Sequence, residues 1–181
     1  MSGVHARARA PLAERWRDIR LAVFDVDGVL TDGRLTLAAQ GPAPSAATDP
    51  ATRSVESKAF HVLDGHGIRQ LARAGIEIAW ISGRDSPAVA ARARELGVAR
   101  LHQGVSDKLP VLESILHDLR SDPDAGDGPD FASVLCIGDD LADLPMMRRC
   151  AIAFTVPHAP AAVKLVADAV TRRAGGAGAV R

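Results

Sequence analysis

The feature that most constrains this chain is a regular alternation between short apolar runs and longer segments with helical periodicity. The apolar runs are nearly continuous, as expected of strands that are covered on both faces. This βαβα series predicts an α/β fold, a Rossmann-like parallel sheet with helices on both faces. The predicted strands lie at 21–24, 76–81, 99–103, 132–137 and 151–156, and the predicted helices at 62–75, 86–97, 107–120 and 141–150.

Two segments interrupt the alternation. Residues 34–60 hold alternating sequences around a Pro/Ala-rich middle, which predicts a protruding β-hairpin with a long tip at about 40–53. Residues 121–130 (SDPDAGDGPD) predict a polar surface loop. We expect residues 1–16 to be a disordered N-terminal extension and residues 17–181 to form a single domain. The Ala/Arg-rich start lacks the apolar core of a secretory signal, and a transit peptide is the less favoured alternative.

Composition excludes several classes of function. The formal net charge is +0 and aromatic residues make up 3% of the 181 residues, which argues against nucleic-acid or anionic-membrane partners. No apolar stretch approaches the roughly 20 residues of a membrane-spanning helix. The two cysteines, Cys136 and Cys150, lie outside any CxxC spacing and are predicted to be reduced thiols of a cytoplasmic protein.

Polar residues follow the predicted strands at the points where those strands end. The sequence AVFDVDGVLTDG carries two aspartates directly after the first strand, ISGR follows the second, and CIGDD follows a later one. In open α/β sheets, ligands bind beyond the carboxyl ends of the strands, so we expect these groups to converge on one edge. The converging residues are Asp25, Asp27, Ser82, Lys108, Asp139 and Asp140.

A divalent cation explains why carboxylates are gathered there. Two carboxylates about 4 Å apart repel by roughly 4 kcal/mol at an effective dielectric constant of 20, and a cation reverses the sign. Mg²⁺ prefers oxygen ligands and commonly uses one or two carboxylates plus a substrate phosphate. Asp25 and Asp139 are the best ligands, and the backbone carbonyl of Asp27 is a third candidate.

The spacing of the first two aspartates suggests different tasks. Asp25, held by strand and metal, can attack phosphorus as a nucleophile, while Asp27 can act as general acid and then general base. Ser82 and neighbouring amides such as that of Gly83 can donate to phosphate oxygens. Lys108 supplies positive charge there, and Arg84 can hold a carboxylate or phosphate.

Other polar residues have simpler explanations. Asp143 is predicted to be a turn or cap residue that supports its loop, and Asp32 to be a turn residue. The histidines share no ligand spacing, and structural roles are favoured for His66 and His102.

Taken together, these motifs resemble the haloacid dehalogenase-like hydrolase superfamily. DVDGVLTDG looks like its first motif, ISGR its second, the lysine of SDKL its third and GDDLADLPMM its fourth. KAFHVLDGHGIRQL, LHQGVSDKL and AGGAGAVR further resemble the branch that contains 3-deoxy-D-manno-octulosonate 8-phosphate phosphatase. The resemblance implies a Mg²⁺-dependent phosphatase that works through an aspartyl-phosphate on Asp25, with Asp139 as a metal ligand and Asp140 beside it.

The resemblance also implies an assembly. Members of this branch lack a large cap domain. The resemblance implies a homotetramer in which a β-hairpin from each subunit helps to pack the assembly and neighbouring subunits cover each other's sites. The long tip at 40–53 departs from the short turn expected of the branch. By composition AGGAGAVR is a flexible end, whereas the resemblance suggests that it folds over a neighbouring site with Arg181 binding an anionic substrate.

The residues together with this resemblance predict a cytoplasmic phosphatase, and the resemblance implies that it releases phosphate from 3-deoxy-D-manno-octulosonate 8-phosphate during lipopolysaccharide precursor synthesis. Three alternatives stay open at this point. One is a phosphatase of another acidic sugar phosphate, such as a nonulosonate 9-phosphate. A phospho-receiver domain is another, although Asp27 and the late GDD argue against it. The last is a non-catalytic module for oligomerisation.

Overall fold

The strands form one parallel sheet and a separate hairpin. A computed structural model of the protein describes residues 11–39, 54–121 and 128–181. The sheet has six strands in the order β5-β4-β1-β6-β7-β8, all pairs parallel, and β2 pairs antiparallel with β3. The strands are β1 Leu21–Phe24, β2 Thr36–Ala39, β3 Ser54–Ser57, β4 Glu77–Ile81, β5 Arg100–His102, β6 Val134–Ile137, β7 Ile152–Thr155 and β8 Ala169–Val170.

After a short first helix that precedes β1, the helices connect successive strands of the sheet. Short sequence signals set their ends: Ser86 caps the third helix by accepting from the amide of Val89, and Gly97 ends that helix in the left-handed conformation. The α-helices are α1 Leu12–Arg15, α2 Val62–Arg73, α3 Pro87–Leu96, α4 Lys108–Arg120, α5 Leu144–Met147 and α6 Ala161–Val166. Turns of 3₁₀-helix occupy Trp16–Asp18, Phe131–Ser133 and Leu141–Asp143.

Both faces of the sheet are buried, which confirms the predicted fold class. Along β1, Leu21 and Val23 face a core built with α4, α5 and α6, whereas Ala22 and Phe24 face a core built with α2 and α3. This division follows from the alternation of side chains along a strand. Because β1 is central and covered on both sides, charged residues at its carboxyl end are held at a fixed place.

The N-terminal prediction was wrong for its last residues. Residues 11–16 were expected to be disordered, yet they include α1 and lead into a 3₁₀ turn. Trp16 stacks on Phe154 with ring centroids 6.0 Å apart, and Arg15 donates to Asp168 at 2.7 Å. These contacts order the segment against β7 and the chain after α6. Residues 1–10 lie outside the described residues, and the single domain at 17–181 stays a prediction.

The hairpin forms where predicted, with Thr36 opposite Ser57 and Ala39 opposite Ser54. Its predicted long tip, about 40–53, lies outside the described residues, as does most of the predicted loop 121–130. Among the described residues there is no large cap domain. None of the helices in these ranges has the length and apolar character needed to cross a lipid bilayer.

Differences from the predicted elements occur near the C-terminus. The helix predicted at 141–150 is a 3₁₀ turn at Leu141–Asp143 followed by the short α5. The sequence patterns also missed α6 and β8, which have six and two residues and are too short to show a clear period.

Candidate active site

The loop after β1 begins the site. The amide of Asp25 donates to the carbonyl of Ile137 at 3.0 Å, which extends the pairing of β1 with β6 by one residue. Gly28 has a φ of +98°, and a Cβ at this position would overlap the carboxylate of Asp139. Glycine is therefore required here both by the backbone conformation and by the close approach of the two loops.

The loop after β6 brings further carboxylates. Asp143 is fully buried, and its Oδ2 accepts from the amides of Asp139 at 2.9 Å and Asp140 at 3.0 Å. Asp143 therefore supports its loop, as the sequence predicted. The carboxylate of Asp140 accepts from the amide of Leu141 at 2.7 Å and caps the 3₁₀ turn.

Lys108 links the two loops. Its side chain is buried at the start of α4, and Nζ donates to Asp25 Oδ1 at 2.5 Å and to Asp143 Oδ1 at 2.7 Å. Burial alone would lower the pKa of this lysine, but the charges of Asp25 and Asp143 outweigh burial and raise it. Lys108 is therefore held as an ammonium between the two carboxylates.

Three carboxylates lie close enough together to hold a cation. Asp25, Asp139 and Asp143 each offer an oxygen, and these oxygens lie within 4.8 Å of one another. We call these three residues the acidic cluster. Burial raises the pKa of Asp25 to about 8 and that of Asp139 to about 6. Ionising these carboxyl groups is unfavourable without a nearby positive charge. Their oxygens therefore suit a divalent cation such as Mg²⁺.

The other predicted phosphate contacts come from the loop after β4. Because β4 pairs with β1, with Trp80 beside Phe24, Ser82, which directly follows β4, lies next to the loop of Asp25. Ser82 is buried, and its Oγ accepts from the amide of Arg84 at 3.2 Å, whereas Gly83 and Arg84 are exposed. The structure therefore places these residues at the same edge of the sheet as the acidic cluster.

Two predicted residues take part in other contacts. Lys58 Nζ binds Asp27 Oδ1, while Oδ2 of Asp27 is buried and has no hydrogen-bond partner among the described residues. Arg181 donates to Gln70 of α2 at 3.0 Å, and the amide of Val180 donates to Asp64 at 2.8 Å. In the single chain the C-terminal residues thus pack on α2 of their own chain, and substrate binding by Arg181 stays a prediction.

Sequence reasoning missed three residues at the site. Lys58 and Glu56 reach the site from the end of β3, and Asp143 joins the acidic cluster as well as supporting its loop. The alternation in SVESK predicts that Glu56 and Lys58 share a face, since residues two apart on a strand do so, but it does not show which part of the molecule that face meets. Nothing in the sequence distinguishes Asp143 as a cap residue from Asp143 as a member of the acidic cluster, because an aspartate at this position suits both roles.

Comparison with known proteins places the chain in a family. A family model described as haloacid dehalogenase-like hydrolase matches residues 128–180. The 3-deoxy-D-manno-octulosonate 8-phosphate phosphatase of Yersinia pestis is 38% identical over 168 residues, which cover 93% of this chain and 79% of that protein. The enzyme of the same description from Escherichia coli K12 is 37% identical over 172 residues, covering 95% and 80%.

Solved structures agree with the sequence relatives. The Moraxella catarrhalis 3-deoxy-D-manno-octulosonate 8-phosphate phosphatase, in complex with magnesium, phosphate and a KDO molecule, superposes with a TM-score of 0.78 at 33% identity. The match covers 94% of this chain and 87% of that one. The chain therefore belongs to the haloacid dehalogenase-like hydrolases and is a phosphoric monoester hydrolase. Within them it lies in the branch that resembles 3-deoxy-D-manno-octulosonate 8-phosphate phosphatase.

Proposed function

We propose that this enzyme hydrolyses 3-deoxy-D-manno-octulosonate 8-phosphate to 3-deoxy-D-manno-octulosonate and phosphate, through an aspartyl-phosphate on Asp25. The observation that carries the proposal is the meeting of Asp25, Asp139 and Asp143 with Lys108 at one sheet edge. The relatives of that activity, matched over most of the chain, support the choice of substrate.

The acidic cluster suits Mg²⁺, which would be held by Asp25 and Asp139, with Asp143 beside them. Asp27, through its backbone carbonyl, and Asp140 stay predicted as further members of the metal site. When bound, the ion supplies charge that offsets the carboxylates and the phosphate.

The residues of the chain divide the chemistry between them. The Asp25 carboxylate attacks phosphorus, the bond from phosphorus to the sugar oxygen breaks, and that oxygen keeps the electron pair and takes a proton from Asp27. Water then attacks the phosphorus of the aspartyl-phosphate, gives a proton to Asp27 and returns the Asp25 carboxylate. Ser82, the amide of Gly83 and Lys108 hold phosphate oxygens, and Arg84 holds the substrate carboxylate.

A panel of sugar phosphates tests this function. The panel contains 3-deoxy-D-manno-octulosonate 8-phosphate, a nonulosonate 9-phosphate and hexose 6-phosphates, each assayed for phosphate release with Mg²⁺ and with a chelator. The compared quantity is kcat/KM, because specificity is a ratio of kcat/KM values. We expect the octulosonate to have the highest kcat/KM and turnover to require Mg²⁺. A higher kcat/KM for the nonulosonate would show that the proposed substrate is wrong, and no turnover at all would revive a non-catalytic role.

We further propose that the enzyme is a cytoplasmic homotetramer in lipopolysaccharide precursor synthesis. The buried free thiols of Cys136 and Cys150 are consistent with a reducing compartment. On the hairpin, Leu37 is 58% exposed and Val55 45% exposed, so the hairpin offers an apolar surface for a second copy. Size-exclusion chromatography with light scattering tests the assembly, and a monomer at micromolar concentration would contradict it.

A further inference from the structure

Lys58 is a buried cation whose partner is a residue of the proposed reaction. Its side chain is 1% exposed, and its ammonium binds Oδ1 of Asp27. Charged lysines are almost never fully buried unless they are paired, because removing an ammonium from water costs several kcal/mol. The position of Lys58 is therefore tied to the carboxylate of Asp27.

A second carboxylate also lies close to Lys58. Glu56 Oε1 lies 3.6 Å from Lys58 Nζ and accepts from the hydroxyl of Ser86 at 2.6 Å. Ser86 caps α3, directly after the loop of Arg84, and Glu56 Oε2 lies 3.8 Å from the guanidinium of Arg84. These contacts connect the hairpin, the loop after β4 and the loop after β1.

The contact leaves the two oxygens of Asp27 in different environments. Oδ1 is occupied by Lys58, while Oδ2 is buried and has no hydrogen-bond partner among the described residues. A buried carboxylate oxygen is normally hydrogen-bonded, so an unpartnered one is expected to meet a group that arrives later. Oδ2 is thus the oxygen available for proton exchange with a substrate or with water.

We propose that Lys58 is a positioning residue that fixes the orientation of Asp27, so that Oδ2 faces the leaving oxygen. This inference rests on the proposed function of Asp27 as general acid. In the first step the phosphorus–oxygen bond breaks, the electron pair moves to the sugar oxygen, and that oxygen receives the proton of Oδ2. In this proposal Lys58 acts without touching the substrate, since its side chain is 1% exposed and its ammonium contacts Asp27 and Glu56.

The dependence of the rate on the leaving group tests the proposal. A sugar alkoxide needs a proton to depart, whereas 4-nitrophenolate departs without one, and kcat/KM reports only the steps up to phosphoryl transfer. For Lys58→Met we expect kcat/KM to fall by about 10- to 100-fold with the best sugar phosphate and by less than about threefold with 4-nitrophenyl phosphate. Equal losses with both substrates would overturn the proposal, because a purely structural anchor affects both alike.

A double-mutant cycle makes the test sharper. If Lys58 acts through Asp27, Lys58→Met should add little to the loss caused by Asp27→Asn with the sugar phosphate, since residues that act together are not additive. Fully additive losses would contradict the proposal. Lys164→Met, at an exposed position of α6, is the matched control and should leave both kcat/KM values unchanged.

The outcomes also separate this inference from the proposed function. If the wild-type enzyme prefers a different sugar phosphate, the substrate proposal fails, and the comparison of leaving groups is made with the preferred sugar phosphate. Thermal melts are recorded for Lys58→Met and for Lys58→Gln, which keeps a donor for Asp27. If neither variant folds, Lys58 is a structural anchor and the inference is wrong.

Discussion

The two halves of the site differ in how their charges are balanced. The acidic cluster lies at the edge of the central sheet, where the ammonium of Lys108 pairs with Asp25 and Asp143 and the imidazole of His158 lies 3.4 Å from Asp139. The half that meets the hairpin sets Glu56 and Asp27 against Lys58 and Arg84. Counting only acids, lysines and arginines, all ionised, the sheet half keeps two uncompensated negative charges while the hairpin half keeps none. The sheet half therefore needs an ion to be stable when ionised, whereas the hairpin half holds itself together and orients its members.

The largest expected effect is in the sheet half. Asp25→Asn removes the proposed nucleophile while keeping the size of the side chain, so we expect kcat to fall by about 1,000-fold or more with any sugar phosphate. Phosphate release under saturating substrate and Mg²⁺ measures this. A variant that retains more than about a tenth of wild-type turnover would show that Asp25 is not the nucleophile.

This difference between the two halves explains which part of the site could be predicted from the sequence. The apolar run of β1 ending in Asp25 fixes a buried strand and the place of its first aspartate, and parallel pairing brings β6 with Asp139 to the same edge. The pattern of apolar residues and the position of the aspartates after the strands are enough to predict the sheet half of the site. Lys58 could not be assigned in this way, because a hairpin outside the sheet has no register with β1. Its contact with Asp27 depends on how the hairpin folds back, which is a tertiary property.

Lys108→Met changes the charge balance of the acidic cluster. Without the ammonium, Asp25 and Asp143 lose the lysine that pairs with both of them, and breaking a buried pair typically costs 3–5 kcal/mol. We expect the free energy of unfolding in chelator to fall by about 3 kcal/mol, and Mg²⁺ to recover more stability in this variant than in the wild type. Urea titrations with and without Mg²⁺ measure both values. Equal stabilisation of the two proteins by Mg²⁺ would contradict the charge argument.

Proton and metal should compete in the sheet half. The pKa values of about 8 for Asp25 and about 6 for Asp139 lie above their value of 3.8 in an unfolded chain. Raised carboxyl pKa values give stability that is present at low pH and is lost as pH rises through the folded pKa values, here between about 4 and 8. Because Mg²⁺ binds the ionised form, it should offset this loss.

We therefore expect Mg²⁺ to raise Tm more at pH 8 than at pH 5.5. At 100 times Kd the ion contributes about 2.7 kcal/mol, or roughly 5–10 °C for a chain of this length. Differential scanning calorimetry with and without chelator measures the shift at each pH. A Tm shift that is the same at both pH values would show that no carboxyl of the cluster is protonated in the metal-free protein.

The smallest effect should come from the contact between Glu56 and Arg84 in the hairpin half. Glu56 Oε2 lies 3.8 Å from the guanidinium of Arg84, whose side chain is 52% exposed, while that of Glu56 is 16% exposed. Because the Arg84 end of the pair is open to water, we expect the pair to contribute no more than exposed pairs do, about 0.2–1 kcal/mol. For Glu56→Gln we therefore expect KM for the acidic sugar phosphate to rise by about two- to fivefold, with kcat within about twofold, because a carboxylate-binding residue contributes to binding rather than to the chemical step.

A matched pair elsewhere on the surface controls for the loss of an ion pair in general. Glu113 of α4 faces Arg149 across 3.6 Å, with both side chains about half exposed, so Glu113→Gln removes an ion pair of similar length whose acid is more exposed than Glu56. We expect no change in KM for this variant. If Glu56→Gln instead lowers kcat as strongly as Lys58→Met while leaving KM unchanged, Glu56 acts through Lys58 and Asp27. In that case the hairpin half would serve to orient the general acid Asp27, and the sheet half would serve to bind the cation beside Asp25. Arg84 would then act independently of the hairpin.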